Sequence, residues 1–343
     1  MTELCIAVLG VGAMGAFHVD RLSRRTAGAR VTVVNDFSEE RARQVAATVP
    51  YARVLADPMA AIAAEDVDSV VIASPGAAHE AQVLACLERG IPVLCEKPLT
   101  TSVDSAYRIV QREAELGRPL VQVGFMRRFD AEYAALRQLI VDGRLGNPLL
   151  VHCTHRNPSA AEHFTSEFMI RDSVVHEVDI TRFLLAEEIS SVQVVRGVAT
   201  SGAPVGTSDP MVVLFETESG RVVTVEIFVR TGVAYEVRTE VVGERGSATI
   251  GLDHNLVLTG PDGRYGGQLT PGFVERFATA YETELQRWVD AARAGTVDGP
   301  GAWDGYAAVA VCEAGVQALA TGAKVAVDMD ARPLSLQHML IHD

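Results

Sequence analysis

The sequence has no hydrophobic run long enough to cross a membrane, since a spanning helix needs about 20 consecutive apolar residues. An apolar strand pattern, Leu4–Leu9, begins almost at once. It is not preceded by the basic segment and apolar core of a secretory leader. These absences lead us to expect a cytoplasmic protein with no membrane partner.

Basic residues and cysteines are also scarce. Lysine and arginine number 30 against 44 aspartates and glutamates, which leaves a formal charge of −14. A protein of that sign is repelled by phosphate backbones, so we expect no nucleic-acid partner. The cysteines are odd in number and scattered, which indicates reduced core thiols rather than disulfides or a zinc site: Cys5, Cys86, Cys95, Cys153 and Cys312.

A glycine-rich turn follows the first strand pattern. Residues 10–15 complete a G-x-G-x-x-G, and a helical pattern covers residues 16–24. This strand–turn–helix order is the context that a dinucleotide fingerprint requires. Gly10 permits the tight turn, Gly12 lets the backbone approach a pyrophosphate, and Gly15 allows close helix packing. We therefore expect the turn and the N–H groups of the helix start to hold the cofactor phosphates, through Gly10, Gly12, Ala13, Met14 and Gly15.

An acidic residue after the second strand pattern favours NAD over NADP. Asp36 follows the pattern at 31–34 and lies about 20 residues past the last glycine. A carboxylate there accepts hydrogen bonds from the ribose hydroxyls of NAD and repels the 2′-phosphate of NADP. Phe37 and Ser38 supply no cation for that phosphate. A glycine-rich turn in an unrelated α/β protein is the alternative.

The 343 residues show two successive patterns of predicted secondary structure. Up to about residue 123, strand and helix patterns alternate, which predicts a doubly wound parallel sheet of the Rossmann type. From about residue 149, long alternating segments predict a large, open, mostly antiparallel sheet, followed by helices at 273–294 and 303–320. The sequence therefore predicts an α/β fold with an NAD-binding domain at 1–123 and a substrate-binding and oligomerisation domain at 124–343.

The motif Glu96-Lys97-Pro98 follows a strand pattern at 91–95. Ligands of open α/β sheets bind beyond the carboxyl ends of the strands, so we expect Lys97 near the reactive end of the cofactor. An ammonium group there polarises a hydroxyl or carbonyl oxygen, or relays a proton. A surface lysine after a strand is the alternative.

Two short stretches supply further polar candidates. Arg127 and Arg128 follow the last strand of the first domain and form either an ion pair with Asp130 or a contact to a substrate hydroxyl. The structural role is at least as favoured for Arg128. His152 and His155 differ by three positions and therefore face opposite sides of a strand. His155, at the strand end, is the better pocket candidate.

The stretch at 171–185 is the most informative for function. Its spacing predicts a helix with four side chains on one face: Asp172, His176, Asp179 and Phe183. Three titratable groups on one stripe of an otherwise apolar helix suit a pocket wall. His176 is a candidate general base, and Asp172 orients it. The alternatives are Asp172 as a helix cap, or a metal held by these groups, although no recognised metal spacing is present.

These motifs together resemble the Gfo/Idh/MocA family (glucose–fructose oxidoreductase, inositol dehydrogenase and rhizopine catabolism), and its inositol branch in particular. The glycine turn, Glu96-Lys97-Pro98 and Asp172-x-x-x-His176 carry the likeness. Further runs at 122–130, 152–158, 176–179 and 301–306 extend it along nearly the whole chain. Val233 departs from the branch, in which a second tyrosine is expected.

The resemblance implies NAD-dependent oxidation of an inositol ring hydroxyl, from myo-inositol to 2-keto-myo-inositol, as the first step of inositol catabolism. It also implies a homotetramer built through the open sheet. The implied catalytic set is Lys97, Asp172 and His176. The implied polyol pocket consists of Arg127, His155, Asn157, Asp179 and Tyr235. Implied further cofactor contacts are Ser74, His79, Glu96 and Lys97.

Two rival functions are weighed. One is a dehydrogenase of another cyclitol or sugar, such as scyllo-inositol, D-chiro-inositol, glucose or xylose, because loss of a hydroxyl at Val233 re-ranks epimers. The other is a non-catalytic NAD-binding sensor. The intact set of Lys97, Asp172 and His176 counts against a sensor, which needs no base.

Overall fold

The computed structural model describes residues 3–251, 258–260, 263–265 and 270–337. The chain divides into two compact units. The first combines Met1–Met126, Thr279–Ala310 and Met329–Asp343, and the second combines Arg127–Ala278 and Val311–Asp328. The division predicted from sequence, at residues 123 and 124, assigns every later residue to the second domain. The units instead place two C-terminal segments with the first, because these segments pack there.

The first unit contains a six-stranded parallel sheet in the order β3-β2-β1-β4-β5-β6. Its strands are β1 (Leu4–Leu9), β2 (Ala29–Asn35), β3 (Arg53–Val54), β4 (Ser69–Ile72), β5 (Val93–Glu96) and β6 (Val121–Gly124). Its helices are α1 (Ala13–Arg24), α2 (Glu39–Ala46), α3 (Pro58–Ala63), α4 (His79–Arg89) and α5 (Val103–Leu116). The apolar strand β4 is buried throughout, as a strand covered on both faces requires. The predicted doubly wound sheet is confirmed, and its order reverses between β1 and β4, where such folds bind ligands.

The second unit is built on a seven-stranded sheet in the order β12-β11-β7-β10-β9-β8-β15. Its strands are β7 (Pro148–Arg156), β8 (Ile189–Arg196), β9 (Met211–Thr217), β10 (Val222–Phe228), β11 (Glu236–Gly243) and β12 (Gly246–Ile250), with β13 (Leu258–Gly260) and β14 (Gly263–Tyr265) forming a separate pair. Its helices are α6 (Ala131–Val141), α7 (Ser166–Phe168), α8 (Val175–Leu185) and α9 (Phe273–Arg276). Only β7 and β10 pair in parallel among the described strands of this sheet, so the predicted mostly antiparallel sheet is confirmed.

One face of this sheet is covered and the other is open. Along β10, Val223, Val225 and Ile227 are buried, whereas the alternate residues are partly exposed. Helix α8 and the segment just before it pack on the covered face. The alternation is the period of two that a half-buried strand requires.

The chain ends with α10 (Ala278–Ala292), α11 (Ala302–Thr321), β15 (Val325–Ala326) and α12 (Leu334–Gln337). The predicted helix at 273–294 is therefore two helices, broken at Phe277. The side chain of Phe277 is fully buried beside Tyr235, and its backbone leaves the helical conformation at φ −111° and ψ 18°. Leu285, Trp288 and Val289 of α10 belong to the same core as Ile6 of β1.

Candidate active site

The glycine turn is sterically committed to glycine. Gly10 has a φ of +78°, and a Cβ at this position would lie 2.5 Å from the backbone of Ser74. A Cβ on Gly15 would lie 1.8 Å from the carbonyl oxygen of Gly10. A Cβ on Gly12 would meet no described atom within 4 Å, so the backbone there is open to a ligand. This turn, followed at once by α1, fits a dinucleotide pyrophosphate.

Asp36 lies at the carboxyl end of β2, in a cleft of about 450 Å³ lined also by Gly10, Gly12 and Ser74. Its carboxylate is buried and accepts hydrogen bonds from the backbone N–H groups of Val11 and Ser38, both at 2.8 Å. Each carboxylate oxygen keeps a second lone pair for a ribose hydroxyl. The predicted position of Asp36 at the cofactor cleft therefore fits NAD.

Arg41 was missed in the sequence analysis, which looked for a cation only at Phe37 and Ser38. It lies in the first turn of α2 and lines the same cleft. Its Nη1 is 3.7 Å from Asp36 Oδ2, and its guanidinium carbon lies 5.6 Å from the ring centroid of Phe37. Arg41 follows Asp36 by five residues, near the start of a helix, and this position could have identified it from the sequence.

His79 and Glu96 are buried in the first unit, close to the strand ends rather than in the cleft lining. The His79 ring lies between the carbonyl oxygens of Ser74, at 2.7 Å, and Pro98, at 2.9 Å, so it braces these two loops. The Glu96 carboxylate lies 2.7 Å from Nε2 of His18, a residue of α1 that the sequence analysis did not single out. Lys97 follows directly after β5, as predicted, and is half-buried.

In the second unit, Asp172 lies in a π-helical segment, Met169–Val174, that precedes α8. The prediction of one regular helical face through Asp172, His176 and Asp179 is therefore wrong at its first member, because a π-helix changes the residue spacing. The helix cap before this segment is Thr165, whose side chain accepts a hydrogen bond from Phe168 N, so the capping alternative for Asp172 is also wrong. The helix is buried on all sides from Val175 to Arg182.

His155 and His152 lie on opposite faces of β7, as predicted. His152 is exposed and hydrogen-bonds to Thr224, whereas His155 is buried. The ring centroid of His155 lies 5.8 Å from that of Tyr235 and 6.4 Å from that of His176. These three predicted residues are therefore neighbours.

Asn157 follows His155 by two positions, at the end of β7. Its backbone N–H donates to Phe228 O and its carbonyl accepts from Thr231 N, which holds the loop in place. Its Oδ1 is buried and has no hydrogen-bond partner among the described residues. A buried amide without a partner is a position at which a ligand hydroxyl fits.

Arg127 and Asp179 are held in buried ion pairs. Arg127 is 1% exposed and donates from Nη1 to Glu177 Oε1. Asp179, also 1% exposed, accepts from Arg128 Nη2 at 2.6 Å and from its Nε at 3.0 Å. The structural role expected for Arg128 is thus present, but its partner is Asp179 rather than Asp130. Asp130 instead pairs with Arg276 at 2.8 Å.

Glu177 is another residue that the sequence analysis missed. It stands next to His176 in the chain, and its carboxylate is enclosed by Arg127 and His155. Burial opposes the charge of this carboxylate, yet Arg127 and His155 outweigh burial and lower the pKa of Glu177 to about 2. In the sequence, Glu177 is a charged residue about 100° around the helix from His176. It therefore lies outside the helical face that the sequence analysis considered.

Two family models match the chain in sequence. Residues 4–125 match the GFO/IDH/MocA model described as an oxidoreductase family with an NAD-binding Rossmann fold. Residues 137–327 match the C-terminal alpha/beta domain model of the same family. The chain belongs to the GFO/IDH/MocA oxidoreductase family.

Two curated relatives of this chain are named inositol 2-dehydrogenase. It is 62% identical to inositol 2-dehydrogenase of Rhodococcus erythropolis, over 96% of this chain and 97% of the relative. It is 57% identical to inositol 2-dehydrogenase of Mycolicibacterium smegmatis, over 97% and 98%. Among solved structures, myo-inositol dehydrogenase of Lactobacillus casei in complex with NAD(H) and myo-inositol has a TM-score of 0.93. Its sequence identity is 32%, over 97% of this chain and 99% of that one.

The described residues contain neither a metal-binding cluster nor a membrane-spanning helix. No three His, Cys, Asp or Glu side chains within them converge in a way that would hold a metal ion. No helix among them is both long and apolar enough to span a membrane.

Proposed function

We propose that this chain is an inositol 2-dehydrogenase that oxidises a ring hydroxyl of myo-inositol to the ketone with NAD. The observation that carries the proposal is its near full-length similarity to a myo-inositol dehydrogenase solved with NAD(H) and myo-inositol. The cleft at the glycine turn and Asp36 supports NAD as cofactor. The step then belongs at the entry to inositol catabolism.

In the proposed mechanism, the chain moves one proton and aligns one C–H bond. His176 accepts the hydroxyl proton as general base, and Asp172 stabilises the charged imidazole. Lys97 donates a hydrogen bond to the reacting oxygen as negative charge develops there. NAD, when bound, supplies the acceptor for the hydride.

The polyol pocket is proposed to have two layers. His155, Asn157 and Tyr235 contact substrate hydroxyls, which the unpartnered Oδ1 of Asn157 supports. Arg127 and Asp179 stand behind them, because both are fully buried in ion pairs. Of the five pocket residues that the family resemblance implied, three are therefore proposed to contact the substrate directly.

Another inositol isomer or sugar is the second candidate, and one observation favours it. Val233 is 69% exposed and lies two residues before Tyr235, a residue of the proposed polyol pocket. A valine offers no hydrogen bond to a hydroxyl, so the ranking of epimers at this end of the pocket differs from that set by a tyrosine.

We further propose a homotetramer formed through the open face of the seven-stranded sheet, and a cytoplasmic location. Leu150 and Val222 are paired across β7 and β10, and each is 38% exposed, so apolar side chains lie side by side on this face. The five scattered cysteines suit a reducing compartment.

The deciding experiment measures NADH formation by the purified protein with NAD and a panel of myo-, scyllo- and D-chiro-inositol, glucose and xylose, repeated with NADP. We expect fast turnover of myo-inositol with NAD alone. Turnover confined to another isomer or sugar moves the substrate but keeps the mechanism. Tight NAD binding without turnover of any polyol makes the non-catalytic sensor the better description.

Two substitutions test the catalytic roles. Lys97→Ala and His176→Ala should each lower turnover by roughly 100-fold or more while NAD affinity stays within a few-fold. Lys324→Ala is the matched control, since Lys324 is the other lysine of the chain and pairs with the exposed Glu216. Near-normal turnover in either catalytic variant would refute its assignment.

A further inference from the structure

Glu177, Arg127 and His155 form a buried cluster in the second unit. Glu177 and Arg127 are each 1% exposed, and His155 is 3% exposed. His155 Nδ1 lies 3.2 Å from Glu177 Oε2 and 3.3 Å from Arg127 Nη2. One guanidinium therefore contacts both Glu177, through Nη1, and His155, through Nη2.

Both members of the ion pair keep their charge. Burial raises the pKa of a carboxyl, but Arg127 and His155 hold that of Glu177 at about 2. Burial also works against the Arg127 guanidinium, but Glu177 holds its pKa above the usual range. A buried ion pair adds little net stability compared with apolar side chains of the same volume. Stability therefore does not account for this pair, and its geometry points to a positioning role.

His155 Nδ1 is unable to hydrogen-bond to both of its neighbours, Glu177 and Arg127, at the same time. A carboxylate only accepts a hydrogen bond, whereas a guanidinium only donates one, so Nδ1 bonds to one of them at a time. Arg127 contacts the carboxylate through Nη1 and approaches Nδ1 through Nη2. An N–H of Nδ1 gains a charge-assisted bond to Glu177, whereas a bare Nδ1 would place its lone pair against the negative carboxylate. Both hydrogen-bond contacts of the ring within the described residues are at Nδ1, which leaves Nε2 for a ligand.

We propose that Glu177 is a positioning residue that keeps His155 in the tautomer protonated at Nδ1, so that Nε2 accepts a hydrogen bond from a substrate hydroxyl. The inference rests on the proposed function, in which His155 contacts the polyol. It goes beyond that function because it assigns His155 the direction of its hydrogen bond. Every free hydroxyl of a cyclitol is able to donate to such an acceptor.

The direct test is the tautomer of His155, read from two-bond ¹H–¹⁵N correlation spectra of the ¹⁵N-histidine-labelled protein. The His155 signals are identified by their loss in His155→Gln. We expect the Nδ1–H pattern at pH 8 in the wild-type protein. An Nε2–H pattern there would overturn the proposal.

The functional test uses Glu177→Gln, in which the amide oxygen satisfies Arg127 and the amide N–H₂ faces Nδ1. We expect the Nδ1–H pattern to be lost and KM for the polyol to rise roughly tenfold, the worth of one lost hydrogen bond. NAD affinity should stay within about twofold, as no hydrogen bond to the cofactor is changed. Asp209→Asn is the matched control, because Asp209 forms another buried ion pair, with Arg230, in the same unit. That control should change neither the tautomer nor KM.

A second variant covers the case in which Glu177→Gln fails to fold. Arg127→Met combined with Glu177→Leu removes both charges and keeps an apolar interior. It should fold, lose the Nδ1–H pattern and raise KM for the polyol. An unchanged KM in this variant, together with a raised KM in His155→Gln, would refute the role of Glu177 alone. An unchanged KM in His155→Gln would instead refute the proposed polyol contact.

Discussion

At the carboxyl end of β2, two opposite charges face the cofactor cleft. Asp36 is buried and held by two backbone N–H groups, whereas Arg41 is partly exposed with its Nη1 3.7 Å away. The carboxylate repels a 2′-phosphate, and the guanidinium attracts one. The selection of NAD at this site therefore depends on the carboxylate outweighing a cation that is already present.

This balance leads to a prediction for cofactor choice. Asp36→Ser should raise kcat/KM for NADP by roughly tenfold or more, because a hydrogen bond to a charged group contributes about 1.5–3 kcal/mol. Adding Arg41→Ala should remove most of that gain. The measurements are initial rates with NAD and NADP, together with binding of 2′,5′-ADP to each variant by calorimetry.

The control for this pair is Arg43→Ala, combined with Asp36→Ser. Arg43 lies in the same helix but pairs with Glu39 and does not line the cleft. It should leave the gain in NADP use intact. Equal losses from the Arg41 and Arg43 changes would mean that general charge, rather than the position of Arg41, attracts the phosphate.

Single residues differed in how well the sequence predicted them. Asp36 and His155 were placed correctly, since strand ends and alternation follow from local spacing. Glu177 was missed, since its meaning depends on partners in space, whereas Arg41 had a local signal, its position five residues after Asp36, that was not used. The partner of Glu177 is 50 residues away in the chain, and no local pattern links the two.

Among the elements, α5 carries a buried carboxylate with a shifted pKa. Glu113 Oε1 accepts hydrogen bonds from the backbone N–H groups of Leu120 and Val121, and so ties the helix to the start of β6. Burial raises the pKa of Glu113 to about 7, despite these donors. The folded protein therefore binds this proton more tightly than the unfolded chain does.

The sign of the pH effect follows from that shift. The stability that the proton provides is fully present below the unfolded pKa of 4.5 and is lost as pH rises through about 7. Between pH 5 and pH 8 the loss is roughly 2–3 kcal/mol. The glutamine of Glu113→Gln does not titrate, so this variant should not show the loss. The difference in free energy of unfolding between the variant and the wild type should therefore shift in favour of the variant by about that amount from pH 5 to pH 8.

Urea unfolding at pH 5 and pH 8 checks this prediction. Glu115→Gln serves as the control, because Glu115 lies on the same helix with a side chain that is 65% exposed. It should follow the wild-type pH dependence. A Glu113→Gln protein that also follows the wild-type curve would show that Glu113 does not bind a proton in this range.

Element boundaries were predictable where local chemistry decides them. Helices α4 and α5 each end just before a glycine, Gly90 and Gly117, that adopts the left-handed conformation, and both glycines are visible in the sequence. The π-helical segment around Asp172 and the break at Phe277 were not predicted. Both are departures within sequences of helical pattern, and the burial of Phe277 beside Tyr235 depends on the tertiary fold.

At the scale of the whole molecule, the open sheet face makes the proposed assembly testable. Leu150→Glu places a charge on that face beside Val222, its neighbour on β10. We expect the tetramer to dissociate, since burying an unpaired charge costs several kcal/mol. Light scattering after size exclusion gives the mass.

Val141→Glu is the matched control, because Val141 is also exposed but lies on α6. This variant should keep the wild-type mass. A wild-type protein that runs as a monomer, or a Leu150→Glu protein that stays tetrameric, would contradict the proposed interface.

The position of α10 in the chain has a consequence for how the protein is made. Leu285, Trp288 and Val289 complete a core whose other members include Ile6 and Val19. A ribosome synthesises the first 126 residues long before these three side chains exist. Part of the apolar surface of the nascent Rossmann sheet therefore stays uncovered while six of the seven strands of the second sheet, β7 to β12, are synthesised. The domains of most proteins fold in the order of their synthesis. In this chain the first unit is begun first, but its core is completed only after most of the second unit has been synthesised.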